Sequence, residues 1–83
     1  MRIYMQTSVF DHGFPRYYHL HLQQDLLEGW NLIREWGFQG AGGRVYRDHF
    51  TDRESAQDTM LRVRDEQLRH GYRVVFVQGL GNP

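Results

Sequence analysis

The chain has no cysteine, no lysine, no net charge and no long apolar run. Without cysteine there can be no disulfide, no thiolate metal ligand and no thiol nucleophile, so stability must come from packing alone. The 83 residues leave room for one domain with one core, burying only about 60–65% of the unfolded-chain surface. An aromatic content of 14% suits that task, because each ring buries much apolar area in few residues. Zero net charge removes the overall basic excess typical of a dedicated nucleic-acid binder. All ten basic residues are arginine. Arginine forms bidentate bonds to phosphate and stacks on rings, so a local cluster can still grip phosphate, although a coding bias explains the missing lysine equally well. No stretch approaches the roughly 20 apolar residues of a membrane span. After Met1-Arg2-Ile3 the sequence turns polar at Gln6-Thr7-Ser8, unlike a signal peptide. A cytoplasmic protein is expected.

Residues 2–10 are β-prone, and Asp11-His12-Gly13-Phe14-Pro15 reads as a turn. From Arg16 to Gln23, Tyr18, Leu20 and Leu22 alternate with Tyr17, His19 and His21, the two-residue period of a half-buried strand. A turn over 25–29 leads to a strand over 30–36, with Trp30, Leu32, Arg34 and Trp36 on one face. The glycine-rich stretch 37–43 reads as a flexible connection, and 44–50 as the next strand of a meander. The period then changes. Thr51-Asp52-Arg53-Glu54 matches a capping box with Thr51 as the cap. Ala56, Met60 and Val63 form a helical stripe, which Leu61 and Leu68 widen. Arg69 and His70 suit the last turn, Gly71 a left-handed cap, and 72–77 a final strand. The expected fold is α+β: an antiparallel sheet, a meander of three to four strands plus a C-terminal strand, with one helix on one face. Residues 1–77 form one domain and 78–83 a flexible, glycine-rich tail.

The stretch Arg34-Glu35-Trp36-Gly37-Phe38-Gln39-Gly40-Ala41-Gly42-Gly43 resembles the signature of the WGR domain, a Trp-Gly-Arg triplet after a strand followed by a glycine-rich turn. Phe50-Thr51-Asp52-Arg53-Glu54-Ser55-Ala56 and Gly71-Tyr72 resemble that family's helix start and helix end. The resemblance covers about residues 16–77. It departs from the family in having Phe38 at the third signature position, and Gln67 where a late helical lysine is frequent. In nuclear poly-ADP-ribose polymerases such domains help grip DNA near a break, the signature tryptophan lying against a terminal sugar and the arginine contacting neighbouring domains. The resemblance implies the first role for Trp36 and Gly37, and the second cannot pass to Phe38. WGR domains also occur in bacterial proteins, which this chain resembles more.

Two kinds of binding follow. One is weak, strongly salt-dependent contact with DNA through Trp36 and Gly37, with Arg34, Arg44 and Arg47 flanking the turn; ion pairs to Glu35 and Asp48 are the competing use of those arginines. Trp36 itself is either a stacking platform or a core residue. The other is a protein partner, held by an apolar patch of Trp36 and Phe38. The glycine cluster leads into a strand, whereas a dinucleotide loop must open a helix. His19 and His21 share a strand side, with His49 a possible third group, and a plain surface pair is favoured over a zinc site. Ser8 and Ser55 lack a nucleophile-elbow setting, and no carboxylates pair in an apolar pocket. No catalysis, cofactor, metal, membrane or small-molecule substrate is expected.

Overall fold

The computed structural model describes residues 1–8 and 13–79. Its elements run β1 (Arg2–Gln6), β2 (Arg16–Gln24), β3 (Trp30–Phe38), β4 (Arg44–Phe50), α1 (Arg53–Arg69) and β5 (Arg73–Gln78). The four strands before the helix form an antiparallel meander. The helix then carries the chain back across the sheet, and β5 adds antiparallel to β1, giving the order β4-β3-β2-β1-β5. The fold is α+β, as the change of period at residue 51 implies.

Alternation decides which face is buried. Tyr18, Leu20 and Leu22 of β2, Ile3 and Met5 of β1 and Leu32 of β3 pack beneath Ala56, Met60 and Val63 of the helix. All three residues of the helical stripe are buried. Leu61 lies part-buried at its margin, while Leu68 is exposed.

Several boundaries differ from the sequence reading, each for a local reason. β1 ends at Gln6, short of the β-prone Thr7 and Ser8; residues 9–12 lie outside the described part. Phe38 is not in the flexible connection. It ends β3, paired with Arg16. The helix cap is Asp52, whose carboxylate accepts from the Ser55 N–H at 2.8 Å, and not Thr51. A carboxylate satisfies an orphan N–H and also meets the positive end of the helix dipole, which a hydroxyl cannot. Asp52→Ala is therefore expected to lower the melting temperature and Thr51→Ala to leave it nearly unchanged, which thermal denaturation of both variants checks. Gln78, assigned to a tail from its glycine-rich neighbourhood, is the last residue of β5, paired with Arg2. Residues 80–83 of that tail lie outside the described part.

The helix ends in a Schellman motif. Gly71 takes φ +94°, its N–H donates to the Leu68 carbonyl at 3.2 Å, and the Tyr72 N–H donates to the Gln67 carbonyl at 3.1 Å. Tyr72, read from sequence as strand, is spent in closing this motif. Its side chain is buried in the core.

Candidate functional site

The site is built from that turn outward. Tyr72 meets Tyr18 edge-on, with ring centroids 5.8 Å apart at 80°. Tyr18 in turn stacks on Trp36 at 5.5 Å and 10°. Tyr18 and Trp36 are direct cross-strand partners, the arrangement in which large rings reinforce a sheet. Trp36 is part-buried against the core. Its ring is thus shared between the core and the surface. Phe38, two residues on, shares its side of β3 and is 49% exposed. Gly37 pairs with Tyr17, and a Cβ there would lie 3.0 Å from the Gly43 Cα. Gly43 is closer packed still, since its own Cβ would collide with the Tyr17 hydroxyl and the Trp36 carbonyl. These glycines let the turn close tightly behind the tryptophan.

The three arginines named from sequence separate. Arg44 is the cross-strand partner of Trp36, so the two side chains share a face, and Arg44 is exposed. Arg34 shares that face but is engaged: its guanidinium meets Asp48 at 3.2 Å and lies 5.1 Å over the Tyr46 ring. It serves the sheet, as the competing reading had it, though with Asp48 as partner and not Glu35. Arg47 pairs with Ile33, which turns it to the opposite face, away from Trp36. Glu35, also on that face, accepts from the Tyr17 hydroxyl at 2.9 Å. That bond, followed by burial and the carboxylate's charge, pushes the Tyr17 phenol up.

Arg16 takes the place of the two lost arginines. It is the cross-strand partner of Phe38, stands exposed beside Tyr72, and its charge lowers the Tyr72 phenol against the larger upward push of burial. Among the described residues neither Arg16 nor Arg44 lies within ion-pair distance of a carboxylate. The signal for Arg16 was present in the sequence: it stands two residues before Tyr18 in a period-two strand, hence on the same side. What was missing was the register that sets it opposite Phe38.

The family model for the WGR domain matches residues 1–76 of the 83-residue chain. The chain belongs to the WGR domain family. The match reaches back through β1, further than the sequence resemblance did; β1 is an interior strand, flanked by β2 and β5. WGR domains are small modules of nucleic-acid-binding type and not a catalytic family. A comparison with curated proteins finds no match. No helix of this WGR domain is long and apolar enough to cross a membrane, among the described residues.

His19, His21 and His49 lie on the face opposite Trp36. His19 and His21 stack at 6.4 Å and 4°. His49 is held elsewhere, its Nε2 3.0 Å from Asp25 Oδ2. Among the described residues no three metal-ligating side chains come together. Burial, followed by the charge of Arg2, holds the His19 and His21 imidazoles below their ordinary value of 6.5. Glu35 partly opposes this at His19, and the N-terminus adds to it at His21. A base whose folded pKa is depressed takes up its proton more readily when unfolded. Its contribution to stability is present above pH 6.5 and is lost as pH falls below that value. The melting temperature is expected to drop between pH 7.5 and 5.5, and to drop less in a His19→Gln/His21→Gln variant. Asp25 and Asp52, both held below their ordinary value of 3.8 by backbone hydrogen bonds, act only at more acid pH.

Proposed function

We propose that this WGR domain binds DNA near a duplex end, weakly and with strong salt dependence. Trp36 offers its ring to the terminal sugar or base, and Arg44 and Arg16 hold the flanking phosphates. The observation that carries this reading is the grouping, on one face of the sheet, of a part-exposed, stacked tryptophan with two arginines that have no carboxylate partner among the described residues. Aromatic contact supplies affinity with little sequence preference, and the arginines supply the salt-sensitive part. The family's nucleic-acid-binding type supports the same assignment. Titration of labelled blunt duplex, nicked duplex and single strand tests it, binding to ended or nicked duplex being the expected result.

A second reading rests on Phe38. Its exposed ring extends the Trp36 surface with an apolar group where the family signature has an arginine. This suits contact with a protein. A DNA titration that stays flat, together with a partner whose binding is lost in Phe38→Ser, would favour it.

A further inference from the structure

The helix packs on one face of the sheet, and no described helix or strand covers the other. A sheet face left to water ordinarily carries polar side chains. This one carries rings. Tyr4 pairs with His19 on one side and Phe76 on the other, and Tyr17 and His21 stand two residues either side of His19 on β2. Directly opposite residues share a face, as do residues two apart in a strand. Tyr4 stacks on Tyr17 with centroids 6.2 Å apart at 17°, and meets His19 edge-on at 5.8 Å. None of these rings belongs to the core cluster. The tyrosines are fixed instead through their hydroxyls: Tyr17 donates to Glu35 at 2.9 Å, and Tyr4 accepts from the Gln39 side chain.

The charge around the rings is mostly positive. Arg2 is the cross-strand partner of His21, and the same row runs on through Ile33 to Arg47. Arg73 lies opposite Gln6. All three arginines are exposed, and among the described residues none lies within ion-pair distance of a carboxylate. The strands bear two carboxylates, Glu35 and Asp48. Asp48, opposite Leu32, is on the helix side, and Glu35 is engaged by Tyr17. We infer that the helix-free face is a platform for single-stranded nucleic acid, with unpaired bases on Tyr4, His19 and His21 and the phosphates on Arg2, Arg47 and Arg73. Rings on an open sheet reach the flat side of a base only where that base is unstacked, so a duplex offers this face its phosphates alone. The exposed guanidiniums match the charge of the backbone that joins such bases. This surface lies across the sheet from Trp36, and the inference does not rest on the duplex-end reading.

Fluorescence anisotropy of labelled oligothymidylate and oligouridylate at low salt tests it, the two arms separating DNA from RNA. Saturable binding of at least one is expected. Its affinity should fall about 5- to 150-fold in His19→Gln/His21→Gln, the loss of one stacked base. Arg2→Gln/Arg47→Gln, which alters no core side chain, should weaken it too, with circular dichroism and blunt-duplex binding as in the wild type. A wild type that binds the oligonucleotide but not blunt duplex would support the inference and remove the duplex-end reading. Failure of both oligonucleotides to bind would overturn the inference. Single-strand affinity that survives both variants would overturn it equally, as would affinity lost in Arg16→Gln/Arg44→Gln but kept in Arg2→Gln/Arg47→Gln, which would put the strand on the Trp36 face.

Discussion

Trp36→Ala is expected to weaken binding to ended duplex by about 5- to 150-fold, the loss of a stacking contact of about 1–3 kcal/mol. It should also lower stability, because Trp36 stacks on the buried Tyr18. The domain should remain folded, since the ring is only part-buried; a fully buried tryptophan truncated to alanine costs about 3–5 kcal/mol, and roughly half of that is expected here. The two effects separate experimentally. Binding is measured below the variant's melting temperature, with the dispersion of its NMR signals as the check on folding. Trp36→Phe keeps a ring over Tyr18 and should recover most of the stability. Arg44→Gln removes a phosphate donor without touching the core and should weaken binding at unchanged melting temperature. Unchanged affinity in both Trp36→Ala and Arg44→Gln would mean that this face is not the binding surface.

Leu20→Ala should have the largest effect on the fold. Leu20 is fully buried at the centre of the sheet, between Ile3 of β1 and Arg34 of β3. A buried leucine truncated to alanine typically costs about 2–5 kcal/mol in lost burial and residual cavity. A domain of 83 residues has only about 4–12 kcal/mol to lose. The variant should therefore unfold at a much lower urea concentration than the wild type, with the slope of the transition unchanged. Leu26 makes the control: it is 101% exposed, and Leu26→Ala should stay within about 0.5 kcal/mol of wild type. Similar costs for the two leucines would contradict the assignment of the core to the β2 alternation.

That alternation was legible before any coordinates, and so were the helical stripe and the Gly71 cap. Each depends on a local period or on one residue's conformational preference, which a single sequence carries. What the sequence held less clearly depends on partners distant in the chain. Arg34 had two uses open to it, phosphate or an ion pair, until the β3–β4 register set Asp48 within 3.2 Å of it. Arg16 attracted no notice because its importance comes from lying opposite Phe38. Arg47 is different: it stands three residues from Arg44 in one strand, so simple alternation already assigns it to the other face. The capping residue moved by one position because two side chains of suitable chemistry stood side by side, and only geometry chooses between them.

In the proposed function, the Trp36 face binds DNA through one ring and two arginines. Fluorescence anisotropy of labelled blunt duplex, titrated with the wild type over a range of salt concentrations, tests it most directly. Saturable binding is predicted, with the logarithm of affinity falling against that of salt with a slope of about −2, the value for two phosphate contacts. That slope should approach zero in Arg16→Gln/Arg44→Gln. A titration that stays flat even at low salt would contradict the claim.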